Sequence, residues 1–186
     1  MAKLLVLYQS NSGRTAAMAN LVAQGAKRIS PIEIRIRSID EANDEDILWC
    51  DGIAVGSPTN LGAVSWQMKK FWDDRSRTLW GKIDGKIACA FSSAGSYGGG
   101  AEITCLNILT MLINYGFLVF GVTDYAGAKF SPHYGAISAT YPESNAEQEA
   151  CLLLGQRLAQ WLVYYSNKNI KQHPFYRSEE LASNSF

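Results

Sequence analysis

Residues 3–15, Lys-Leu-Leu-Val-Leu-Tyr-Gln-Ser-Asn-Ser-Gly-Arg-Thr, decide the fold. Leu4, Leu5, Val6 and Leu7 form a short continuous apolar run ending in a polar, glycine-containing turn, which predicts a strand buried on both faces and hence a parallel sheet. Ala16, Met18, Ala19, Val22 and Ala26 then recur at helical spacing. A loop between a strand and a helix turns unpaired N–H groups toward one spot over the helix N-terminus, where the dipole also favours an anion. A single helix cap needs one hydroxyl and is worth about 1 kcal/mol. This loop offers Ser10, Ser12 and Thr15, so Ser10, Asn11, Ser12, Gly13, Arg14 and Thr15 are candidate phosphate ligands. The stretch is not a nucleotide P-loop, because no Gly-x-x-x-x-Gly-Lys-Ser/Thr is present. Gly13 stands alone, which excludes a Gly-x-Gly-x-x-Gly dinucleotide turn, and the absence of Cys excludes a thiol phosphatase cradle.

Outward from this stretch, apolar strands alternate with helical patterns. Ile32, Ile34 and Ile36 alternate with Glu33, Arg35 and Arg37, which predicts an edge strand or one with a wet face. Asp40–Asp46 is an acidic connection. Gly52–Gly56 is a third strand, running into a turn-rich loop at Ser57–Ala63, and Ser65–Asp74 reads as a helix. Lys86–Ser92 is a fourth strand, followed by Ser93-Ala-Gly-Ser-Tyr-Gly-Gly-Gly100, whose glycines allow close backbone approach to a ligand. Glu102–Asn114 is a helix and Phe117–Phe120 a fifth strand. Gly121–Glu143 reads as a long irregular segment, and such loops tend to be functional. Ser144-x-x-Glu147 is a capping box opening a helix to Ser166, with Leu152, Leu153, Leu158, Trp161, Leu162 and Tyr165 as its expected buried stripe.

The expected architecture is therefore a doubly wound, five-stranded parallel α/β sheet in the order 2-1-3-4-5, in three layers. Residues 1–166 form one domain and 167–186 a polar tail that is either disordered or docked on another subunit. The chain has 186 residues, 17 basic and 17 acidic, for zero net charge. That removes an electrostatic case for nucleic acid or an anionic membrane, and weighs against a carrier that docks through a strongly charged face. No apolar run approaches the ~20 residues of a membrane span, and no signal peptide is evident. Cys50, Cys89, Cys105 and Cys151 are widely spaced among apolar neighbours, as expected of reduced structural thiols in the cytoplasm.

In such a sheet the ligand lies beyond the carboxyl ends of the strands, where the strand order reverses. The loops after strands one, three and four meet there and carry no cluster of Asp, Glu, His or Cys, so a metal site is not expected. The only histidines, His133 and His173, assemble no evident Ser/His/Asp set. Such a site needs a ligand that brings its own reactivity, and flavin mononucleotide (FMN) fits. Its phosphate would sit on Ser10–Thr15 and its ring between Pro58–Ala63 and Ser93–Gly98, where backbone amides stabilise charge that develops on the ring.

The combination of Lys3-Leu-Leu-Val-Leu-Tyr-x-Ser with Gly13, Gly56-Ser-Pro-Thr-x-x-Gly62, Gln67-Met, Leu79-Trp80, Phe91-Ser-Ser-x-Gly95 with Gly98-Gly-Gly100, and Tyr134-Gly135-Ala136 resembles the flavodoxin-like WrbA family of NAD(P)H:quinone oxidoreductases. The resemblance spans roughly Lys3–Tyr165. It implies a flavodoxin-like fold and FMN contacts from Ser10 to Thr15, from Pro58, Thr59, Asn60, Leu61 and Gly62, and from Ser93, Ala94, Gly95, Ser96, Tyr97 and Gly98. It also implies a pocket for quinone or nicotinamide lined by Trp80, with Asn114 and Tyr134 nearby, and a homo-oligomer in which Trp80 reaches a neighbouring subunit. The chain carries Ser12, Asn60-Leu61 and Asn114 where that family carries Tyr, Arg-Phe and His. It also lacks the family's insertion between the second and third strands. Two main functional readings stand at this point, beside a third in which the scaffold has lost its cofactor and serves as an interaction module. One is an FMN oxidoreductase passing electrons from NAD(P)H to a quinone. The other is a flavodoxin-type carrier that serves a redox partner protein.

Overall fold

A computed structural model describes residues 1–166, so the reading of the tail as disordered or docked falls outside the described residues. The elements run β1 (Ala2–Tyr8), α1 (Arg14–Ala26), β2 (Ile32–Ser38), α2 (Asp44–Trp49), β3 (Gly52–Asn60), β4 (Ala63–Val64), α3 (Trp66–Asp74), α4 (Ser76–Leu79), β5 (Ile87–Ala94), α5 (Ala101–Asn114), β6 (Leu118–Val119), β7 (Ala136–Ala139) and α6 (Asn145–Ser166). The sheet order is β2-β1-β3-β5-β6, with β4 antiparallel to β3 and β7 parallel to β5.

Side chains alternate across a strand, and β1 uses both faces. Leu5 and Leu7 enter a core with Met68, Trp72, Ile108 and Leu112 of α3 and α5, while Leu4 and Val6 enter one with Met18, Val22, Leu154 and Leu158 of α1 and α6. Three layers follow, as the continuous apolar run requires. β2 is an edge strand, but its polar face is not bare to water. Arg35 and Arg37 reach the Asp46 carboxylate at 3.0 and 3.7 Å, and the Arg35 guanidinium lies 3.9 Å from the centre of the Trp49 ring. The acidic connection folds as α2 to supply these partners, with Asn43 and Asp46 forming a capping box.

Three expectations are corrected. The loop expected at Ser57–Ala63 is mostly strand: β3 continues to Asn60 and turns back through Leu61 and Gly62 into β4. The fifth strand is discontinuous, since β6 pairs with Ile87 and Ala88 and β7 with Phe91–Ala94 of the same neighbour. The segment expected to be irregular thus holds a strand. On α6 the buried stripe is Ala150, Cys151, Leu154, Gly155, Leu158, Ala159 and Leu162, whereas Trp161 is exposed and Leu152, Leu153 and Tyr165 are only partly covered.

All four cysteines are buried and free. Burial pushes the Cys50 thiol up to about 12 and raises the other three as well, so none is a ready nucleophile. Among the described residues no helix is long and apolar enough to cross a membrane.

Candidate functional site

The carboxyl ends of β1, β3 and β5 point the same way, and the chain leaves β1 toward β2 on one side while β3 lies on the other. The crevice at that reversal is built by Gln9–Gly13, by the Pro58–Gly62 hairpin and by Ser93–Gly100. Backbone and hydroxyl hydrogen bonds lock the three together. The Gln9 amide donates to the Gly56 carbonyl at 2.9 Å. Thr15 Oγ1 and Ser93 Oγ are 2.9 Å apart, as are Thr59 Oγ1 and Ser92 Oγ, and Ser92 Oγ donates to the Ser57 carbonyl at 2.8 Å. The Ser65 amide donates to Ser57 Oγ at 2.9 Å, which fixes the base of the hairpin.

Gly13 carries the turn into α1 with φ 84°, a conformation that a side chain disfavours. Its amide donates to Ser10 Oγ at 3.1 Å. Ser10 therefore braces the loop from within, while Asn11, Ser12, Arg14 and Thr15 face a cavity of about 140 Å³ together with Pro58, Thr59, Asn60, Ser93, Ala94 and Gly95. The three loops do converge as the sequence predicts. Arg14 is the one charged side chain among those lining residues, and its Nε is buried with no hydrogen-bond partner among the described residues.

Leu61 and Gly62 form the hairpin tip. Leu61 is held at φ 50° with its side chain fully in solvent, at 108% relative exposure. Ser96, Tyr97 and Gly98 lie on the exposed arc opposite. A Cβ added at Gly95 would meet open space, so packing within the chain does not demand a glycine there. Burial of the Tyr97 hydroxyl and the neighbouring Glu147 carboxylate both raise its pKa.

A second cavity, about 760 Å³, meets the first at Asn60 and runs between α3 and α5 along Val64, Trp66, Met111, Trp80, Asn114 and Tyr115. Trp80 and Asn114 share it, but not beside the crevice. α5 starts at the crevice loop and Asn114 ends its 14 residues, placing Asn114 on the order of 20 Å down the helix. Trp80 packs against Tyr115 at that same end, with ring centroids 5.9 Å apart. Tyr134 joins neither cavity. It precedes β7, whose carboxyl end, not its amino end, lies by Ala94, and it is 53% exposed.

Sequence reasoning missed the serines beneath the hairpin, Ser57, Ser65 and Ser92. It also missed Tyr141, whose hydroxyl donates to the Ser12 carbonyl at 2.7 Å from 129 residues away. The serines recur at strand ends and could have been found; nothing local marks Tyr141.

The Flavodoxin family model matches residues 6–161. A flavodoxin of Aquifex aeolicus is 59% identical over 165 residues, 89% of either chain. An NAD(P)H dehydrogenase (quinone) of Chromohalobacter salexigens is 34% identical over 145 residues, 66% of this chain and 72% of that one. Among solved structures, the flavodoxin, WrbA-like protein from Agrobacterium tumefaciens superposes with TM-score 0.70 at 24% identity, over 88% of this chain and 99% of that one.

Proposed function

The chain belongs to the flavodoxin family, and from that premise we propose that it binds FMN and transfers electrons to and from a redox partner protein. The observation that carries this reading is the crevice itself. Arg14 offers an unpaired buried N–H, hydroxyls converge from three loops, and Gly95 opens into empty space.

Ser10–Thr15 would hold the phosphate, through loop amides and the Arg14 charge. Pro58–Gly62 and Ser93–Gly98 would flank the ring, with Leu61 supplying an apolar cover. When bound, the flavin supplies the redox chemistry. This chain's own residues would bind it, orient it and exclude water from it, and among the described residues the cavity lining includes no Asp, Glu or His. Titration of the apo-protein with FMN tests the reading: quenching of flavin fluorescence at one equivalent supports it, and unquenched fluorescence rejects it.

A finer reading makes the protein an FMN-dependent NAD(P)H:quinone oxidoreductase. The Chromohalobacter relative favours it, as does the aromatic cavity that joins the crevice at Asn60. Because Trp80 and Asn114 sit at the far end of that cavity, they would serve a flavin only across a homo-oligomer contact. Quinone-dependent NAD(P)H oxidation faster than free FMN achieves supports this enzyme. Turnover no faster leaves the carrier.

A further inference from the structure

We propose that Tyr141 is a positioning residue for the phosphate loop: it holds the Ser12–Gly13 peptide in the one orientation that keeps the loop's amides turned toward an anion. The proposal rests on the FMN reading above and names a residue outside the three loops that form the crevice.

Tyr141 follows β7 on a short arm tied down at several points. The Ala139 amide donates to Glu147 Oε1 at 2.7 Å, the Thr140 amide to the Ala94 carbonyl at 2.8 Å, and the Glu143 amide to the Tyr141 carbonyl at 2.8 Å. Thr140 itself sits at φ 71°. A β-branched residue there is a genuine outlier, and it persists only where the surroundings impose it. The consequence of that bend is the path of the next residue. The Tyr141 ring crosses to the opposite loop, and its hydroxyl donates to the Ser12 carbonyl at 2.7 Å.

The Ser12–Gly13 peptide is thereby gripped at both ends, its carbonyl by Tyr141 and its N–H by Ser10 Oγ at 3.1 Å. Tyr141 is not among the residues lining the crevice, whereas Ser12 is, so the Ser12 carbonyl is occupied by a group from outside the cavity. Gly13 makes the alternative cheap, since a peptide beside a glycine rotates with little steric penalty. A rotated peptide would break both bonds and set the carbonyl against Ser10 Oγ, shifting the loop whose remaining amides an anion needs.

The test uses the full chain stripped of flavin, as wild type and Tyr141→Phe, titrated with FMN and with riboflavin by fluorescence quenching. Riboflavin has the same ring and lacks the phosphate. The expected result is FMN affinity about tenfold weaker in Tyr141→Phe, the size of one hydrogen bond, with riboflavin affinity unchanged. FMN affinity unchanged, or an equal fall for both ligands, overturns the proposal. Tyr141 is 44% exposed, so the melting temperature of the apo variant should match wild type. If it does not, the ratio of the two affinities cancels any common effect and still decides. A wild-type chain that binds neither flavin overturns this proposal together with the FMN reading, whereas wild-type binding with an unchanged ratio overturns this one alone.

Discussion

Gly25 of α1 and Gly155 of α6 make one reciprocal contact. A Cβ on Gly25 would overlap the Leu152 carbonyl oxygen, and a Cβ on Gly155 would overlap the Val22 carbonyl oxygen. The two helices therefore meet backbone against backbone, on the sheet face that buries Leu4 and Val6. Alanine in a helix interior is ordinarily better than glycine by roughly 0.5–1 kcal/mol. Here the order is expected to invert. Gly155→Ala should destabilise by about 1–3 kcal/mol and Gly155→Val by more, because the helices must part to admit the side chain. Urea unfolding of the two variants checks it; a stabilised Gly155→Ala would show that the helices can separate without loss.

That contact also explains which parts of the fold were legible. The sheet was readable because Leu4–Leu7 are large on both faces and Ile32, Ile34 and Ile36 on one, and only a central and an edge strand satisfy those patterns. The α6 stripe holds at Leu158 and Leu162 and fails at Leu152, Leu153, Trp161 and Tyr165, because size was taken as the mark of burial. Close approach to α1 puts small residues, Cys151, Gly155 and Ala159, at the seam and moves Trp161 out to solvent. β7 was missed because Ala136-Ile-Ser-Ala139 is short and follows 16 residues after β6, and only its pairing with Phe91–Ala94 makes it a strand. At the crevice, loop composition pointed to three loops that the fold brings together around one cavity. The positions of Trp80 and Asn114 along their helices depend on which end of each element faces the site, which no local pattern encodes.

Lys86 spans from the start of β5 to the end of α2, where its Nζ donates to the carbonyls of Ile47, Leu48 and Cys50 at 2.8, 2.8 and 2.6 Å. Helix C-terminal carbonyls lack intrahelical partners and favour a cation. Lys86→Met keeps the stem and removes the ammonium, and is expected to cost about 1–3 kcal/mol in chemical denaturation. Lys69, whose partner Asp73 is an exposed i,i+4 neighbour, is the control. Lys69→Met should change stability by no more than about 0.5 kcal/mol.

Arg14 supplies the only charge among the described residues lining the crevice, so it should govern how salt affects FMN binding. Arg14→Met is expected to bind FMN about tenfold more weakly, within the range of a hydrogen bond to a charged group. Its affinity should also fall less between low and high salt than that of wild type, since the screened attraction is gone. Calorimetric titrations at two salt concentrations measure both. An unchanged salt dependence would place the phosphate elsewhere.

Glu147 joins the start of α6 to the arm that bears Tyr141. It accepts from the Ser144 hydroxyl at 2.8 Å and from the Ala139 amide at 2.7 Å, and is 3% exposed. Burial works to raise its pKa, but the bonds from Ala139, Ser144 and Tyr97 outweigh that and hold the carboxyl below its ordinary value. In the unfolded chain a glutamate titrates near about 4.3. The native state thus favours the charged form, and the stability this contributes is whole above the unfolded value and lost as pH falls through the lower, folded one. Glu147→Gln has the same shape and no charge. Wild type should therefore exceed it in melting temperature at neutral pH, by a margin that stays constant down to about pH 5 and then shrinks on further acidification. Melting curves of the pair across that range measure the margin directly. One that grew toward acid would mean burial, not hydrogen bonding, sets the state of this carboxyl, and the arm would then lack the charged anchor that Ala139 requires.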